Sequence, residues 1–152
     1  MKIITKLFGA IKNNHYLCNV NKNNNKQKIM SLRTAIKYEV ELGNTKCFTW
    51  KDVSTINTII NIIAEEDVEF SSEDWVYSEE IKANREKLLT NIDKLIKPDE
   101  TWAFHEDLEF QLNYIEKYHN SNTMTRENIY NNLKEIIEQS DSRNKYVYFF
   151  WE

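Results

Sequence analysis

Lys145-Tyr146-Val147-Tyr148-Phe149-Phe150-Trp151 is the stretch on which the fold turns. It is dominated by aromatic side chains, holds no Gly or Pro, and follows the turn residues Ser140-Asp141-Ser142, so it reads as a β-strand. A lone strand is not stable in water and has to pair. The partner offered by the sequence is a hairpin near 35–50. Ile36, Tyr38, Val40 and Leu42 alternate there with Lys37, Glu39 and Glu41; Gly43-Asn44-Thr45 supplies a turn, and Lys46-Cys47-Phe48-Thr49-Trp50 runs back. Leu32, Ile36 and Val40 also fit a helix ended by Gly43, but the turn and returning strand favour β structure from Ala35.

Between hairpin and final strand the apolar period changes from two to that of a helix. Thr49-Trp50-Lys51-Asp52 opens a helix whose apolar face is Val53, Ile56, Ile59, Ile60 and Ile63, reaching about Glu65. Ser78 reads as the cap of a second helix carrying Ile81, Leu88, Leu89, Ile92, Leu95 and Ile96, stopped by Pro98. A third starts near Glu100 with Phe104, Leu108, Leu112, Ile115 and Tyr118 on its face. Thr125 caps a fourth, with Ile129, Leu133, Ile136 and Ile137. Ile3, Ile4, Leu7, Phe8 and Ile11 would make a short basic amphipathic helix at the start. The expected class is α+β: four to five helices packed on a small antiparallel sheet, the hairpin near 35–50 pairing with the strand at 145–151.

The chain has 152 residues, enough for one domain with a real core, and 41% of them are hydrophobic, too many for a disordered chain. Two Gly and one Pro are too few for a sandwich, a propeller or a glycine-cradled nucleotide site. Residues 1–29 read as an extension, the basic helix followed by an Asn/Lys-rich connector with seven Asn between Asn13 and Asn25. Residues 30–152 read as the single globular α+β domain.

The net charge of −4 hides a division. Met1 to Tyr38 holds eight Lys/Arg and no acid; Glu39 to Glu152 holds twelve bases and twenty-four acids. Cys18 and Cys47 lie far apart and in no metal-ligand spacing, and read as two buried free thiols. Lys6 interrupts the N-terminal apolar run with no small-residue cleavage site after it, and no stretch approaches the roughly eighteen apolar residues of a membrane span. The expected compartment is the cytoplasm.

Signals for chemistry are weak. His105 and Glu109 stand four apart on a helix, a spacing able to aim two ligands at one metal, with His15 or His119 as distant candidates for a third. The segment reads His105-Glu106-Asp107-Leu108-Glu109, which lacks the second His of a zinc-protease motif, so it is taken as a solvated helix face. No Ser lies in a nucleophile elbow, and Gly9 and Gly43 stand alone. No catalytic residue, metal or cofactor is therefore assigned, and the chain is not expected to be an enzyme.

The strong signal is acidic. Glu65, Glu66, Asp67, Glu69, Glu73, Asp74, Glu79 and Glu80 follow one another with no Lys or Arg between Glu65 and Glu80, interleaved with Trp75 and Tyr77. Asp99, Glu106 and Asp107 gather around Trp102. Acids at helix starts are explained by the helix dipole, but Glu65-Glu66-Asp67 falls at a helix end, where acids oppose it. Acids mixed with Trp and Tyr suit an interface in which aromatics anchor and charge steers a basic partner. The expectation is a small acidic inhibitor, of the immunity-protein or antitoxin type or a charge mimic. Its partner would be a basic protein such as a nuclease toxin, with no direct contact to nucleic acid. The alternative is a membrane-peripheral or assembly protein docked by the basic N-terminal helix on an anionic surface.

Overall fold

A computed structural model describes residues 29–35, 42–74, 78–118 and 124–152. Five strands, β1 (Ile29–Ala35), β2 (Leu42–Thr49), β3 (Val68–Phe70), β4 (Glu80–Asn84) and β5 (Tyr146–Trp151), form one antiparallel sheet in the order β2-β1-β5-β4-β3. Four helices accompany it: α1 (Trp50–Ile63), α2 (Arg85–Asn91), α3 (His105–Tyr118) and α4 (Arg126–Gln139), with a 3-10 turn over Ile92–Leu95 continuing α2. The class is α+β, and the hairpin does pair with the C-terminal strand.

The details differ from the sequence expectation in three places. The first strand of the hairpin runs over Ile29–Ala35, upstream of the alternation at 36–41, which lies outside the described residues, and Gly43-Asn44-Thr45, expected as the turn, lies within β2. In β1 the inward residues Met30 and Leu32 alternate with Ser31 and Arg33, which are buried as well, and Thr34 then takes an inward position as a polar residue, so the alternation covers only Met30 to Arg33. Ser78 caps no helix. Glu80–Asn84 is a strand with Ile81 and Ala83 buried, and the helix cap is Asn84, whose side chain accepts the Lys87 backbone N–H at 3.2 Å. The third helix begins at His105 rather than near Glu100, because turns at Trp102 and Phe104 precede it.

The caps of the other helices follow the sequence. Asp52, at the third position of α1, accepts the Thr49 backbone N–H at 3.2 Å and also the Thr49 hydroxyl, a capping box. Thr125 accepts the Asn128 N–H at 3.2 Å at the head of α4.

Residues paired across an antiparallel sheet share a face. Leu32 pairs with Trp151, Met30 with Phe48 and Ile81 with Phe149, which places all six on one side. Against that side lie α1 and α4. The Trp151 indole donates to Asn57 Oδ1 of α1 at 2.6 Å, and Lys46 pairs with Glu135 of α4. The core lies here, with Ile56, Ile59, Ile60 and Ile63 of α1, Leu88 of α2 and Leu133 and Ile136 of α4 all buried. α3 forms an outer layer against α1, burying Leu108, Leu112 and Ile115.

Candidate functional site

The acidic stretch at the end of α1 is built into the fold as well as carried on it. The last carbonyls of α1 are closed by the amides of Ala64, Glu65 and Glu66, at 3.0, 2.9 and 2.9 Å. To make that turn Glu65 and Glu66 adopt φ of 52° and 62°, a left-handed conformation unusual for residues with a Cβ. Glu65 then accepts the Trp102 indole N–H at 3.2 Å and the Asn91 side-chain amide at 3.1 Å. These two bonds, the Trp102 one first, hold its carboxyl below the ordinary carboxylate range. Asp67 accepts the Asn84 amide at 2.8 Å, and Lys87 Nζ lies 3.9 Å from Glu65 and 4.0 Å from Asp67. The acids at this helix end thus have a local structural function that sequence alone does not reveal.

Trp102 joins the two acidic segments. Half-buried, it packs against Phe104 with the ring centroids 5.5 Å apart and the planes tilted by 47°, and Lys94 Nζ sits 5.0 Å over its ring. Asp99 opens the turn before it by accepting the Thr101 N–H at 3.1 Å and the Thr101 hydroxyl at 2.7 Å, which lowers its carboxyl pKa. Glu66, Glu73, Asp74 and Glu79 are exposed; Glu69 is exposed and paired with Lys82 at 3.3 Å; Glu80 is half-buried in β4. Trp75 and Tyr77 lie outside the described residues, as does the basic N-terminal helix.

Glu106 and Asp107 are exposed in the first turn of α3, and they lead to a feature that sequence reasoning missed. Phe110, Tyr114 and Tyr118 follow at intervals of four on the side of α3 away from the core. They are 67%, 43% and 61% exposed. The Tyr114 and Tyr118 rings lie 4.8 Å apart, and Lys117 Nζ is 5.1 Å over Tyr118. Tyr118 therefore belongs to this outer stripe and not to the core face where its spacing from Leu108 placed it. The available signal was that α3 carries two apolar stripes of the same period, and a helix in one domain buries only one of them.

Arg126, at the start of α4, fixes the flank of the stripe. It grips both oxygens of Glu109 at 2.9 and 3.0 Å and reaches Glu116 at 3.4 Å, and these carboxylates raise its own pKa. Glu109, the acid paired with His105 in the metal reading, is thereby committed to an arginine. Among the described residues no group of three or more His, Cys, Asp or Glu is placed to hold a metal ion.

The reading of Cys47 as a free thiol needs a correction, while Cys18 lies outside the described residues. Cys47 in β2 is disulfide-bonded rather than free, and Cys18 is the chain's only other cysteine. Such bonds persist mainly in oxidising surroundings. No described helix is long and apolar enough to cross a membrane. Comparison with protein-family models, with curated proteins and with solved structures found no match to this chain.

Proposed function

We propose that this chain is a small acidic protein-binding inhibitor, immunity- or antitoxin-like, which neutralises a basic protein such as a nuclease toxin through the outer face of α3 and the acids beside it. One observation carries the reading: Phe110, Tyr114 and Tyr118 stand exposed in a row on a helix whose inner face already fills the core. Aromatic rows of this kind are rare on monomer surfaces and supply the anchors of interfaces. Charge selects the partner. From Asp99 to Tyr118 there are six acids and one lysine, so the row sits in a negative field that attracts a cationic surface.

The test starts from capture of a basic protein by the full chain in its native host, followed by kinetics and inhibition assays on that purified protein. Phe110→Ser with Tyr118→Ser is expected to raise the off-rate without shifting the thermal melt. Glu106→Lys with Asp107→Lys is expected to slow association at low salt and to leave the off-rate nearly unchanged. Variants that bind as fast, hold as long and inhibit as well as the parent chain would end this reading.

A further inference from the structure

Along its outer side α2 borders a hollow of about 430 Å³, lined by Arg85, Glu86, Leu89, Thr90 and Lys145. Arg85 and Leu89 stand one helical turn apart, as do Glu86 and Thr90. The Arg85 amide donates to the Lys145 carbonyl at 2.9 Å, which fixes the residue before β5 beside them. The lining is mostly apolar, and Leu89, which the core does not use, is 48% exposed. Arg85 is the unusual member. Its guanidinium donates to the carbonyls of Asn144 at 2.9 Å, Ile137 at 3.3 Å and Asp141. These bonds hold the group still without neutralising it, because a carbonyl carries no net charge. Among the described residues no carboxylate lies within ion-pair distance of Arg85, and the Asp141 carboxylate is bonded to Arg143 at 2.9 Å. Burial accordingly lowers the Arg85 pKa, which Asp141 offsets only in part. A cation withdrawn from water in this way ordinarily has an anionic partner.

We propose that this hollow binds a small monocarboxylate with an apolar chain, its carboxylate between Arg85 and Lys145 and its chain along Leu89. Three of the five guanidinium N–H donors are used inside the fold, which leaves one on each terminal nitrogen for the two oxygens of a carboxylate. Lys145 supplies a second positive charge. It is exposed, forms no ion pair among the described residues, and lies over the Tyr146 ring at 5.4 Å. Glu86 in the same lining cancels one of the two charges. The hollow is thereby matched to a single negative charge and disfavours a phosphate, which carries nearly two. An apolar chain laid over Leu89 removes both from water, which a purely ionic ligand cannot do. This site is independent of the acidic face of α3, since it takes an anion where that face takes a cation.

Titration of the full chain with sodium octanoate, followed by NMR and by thermal melts, tests this. Octanoate is expected to bind saturably and to raise Tm with its concentration. It should shift the signals of Leu89, Thr90 and Lys145 and leave those of Phe110 and Tyr118 unmoved. Octanamide, neutral at the same length, and inorganic phosphate are each expected to bind several-fold more weakly. Arg85 also closes carbonyls at the end of α4, so the variants are taken from the exposed lining. Lys145→Gln and Leu89→Gln are each expected to weaken octanoate several-fold with the melt of the free chain unchanged. Glu86→Gln is expected to strengthen it, which a merely structural Glu86 would not do. Absence of saturable binding would overturn the proposal. So would octanamide or phosphate binding as tightly as octanoate, since the site would then read apolar surface alone or charge alone. Shifts confined to the α3 row, or an affinity unaltered in Lys145→Gln and Leu89→Gln, would place the ligand elsewhere and overturn the proposal equally.

Discussion

Trp102 and Glu65, thirty-seven residues apart, meet through one indole N–H at 3.2 Å, and Trp102→Phe removes that donor while keeping a ring for Lys94 and Phe104 to pack on. A hydrogen bond to a charged acceptor contributes roughly 1.5–3 kcal/mol. The Glu65 side chain is one-third exposed, so water screens part of this, and about 1 kcal/mol is the expected loss at neutral pH. For a domain of this size that lowers Tm by about 2–4 °C. The pH dependence carries the more specific signal. Glu65 has its carboxyl pKa depressed below the ordinary 4.5 by Trp102 and Asn91. Its stabilisation is therefore complete above the unfolded value and disappears as pH falls through the lower folded value. A double-mutant cycle of Trp102→Phe and Glu65→Gln, read by urea unfolding, should give a coupling of about 1 kcal/mol at pH 7 and a smaller one at an acid pH, as the carboxyl takes up its proton below the ordinary carboxylate range. Additive losses at pH 7, or a coupling of the same size at both pH values, would refute the reasoning.

Two further predictions test other links. Glu66 is exposed with φ 62°, so Glu66→Gly should relieve left-handed strain and raise the urea midpoint by about 0.5–1 kcal/mol of stability at unchanged slope. A loss instead would show that the Glu66 side chain is structurally engaged. Asn57 is buried and accepts the Trp151 indole at 2.6 Å while donating to the Ser78 carbonyl at 3.4 Å. Asn57→Ala should lower stability by about 2–3 kcal/mol with a changed Trp fluorescence, and a loss under about 0.5 kcal/mol would contradict the role given to this bond.

The long periodic segments were legible because their apolar faces are unambiguous. Val53 to Ile63, Ile129 to Ile137 and Tyr146 to Trp151 all form the elements that their spacing predicts. β3 was not legible, since three residues contain too few alternations to show a period. β4 was hidden by Ser78, a residue that often caps helices but here bonds to Ser72, in a segment whose buried residues are Ile81, Ala83 and the cap Asn84. The acidic stretch was visible as charge, but the partners of Glu65 and Asp67 come from residues remote in sequence, so their structural half was not. The exposed row on α3 could have been suspected from its spacing. Only the observation that Leu108, Leu112 and Ile115 already satisfy the core shows that Phe110, Tyr114 and Tyr118 face outward.

β5 sits in the middle of the sheet and bonds to β1 on one side and β4 on the other. The segments of β1 to β4 all precede β5 in the chain, so until β5 is made the inner edges of β1 and β4 lack the strand that joins them. Such edges invite pairing with other chains, and long-range closure is slow. Its yield in the cell should depend on how well chaperones occupy those edges until the final six residues of the sheet arrive.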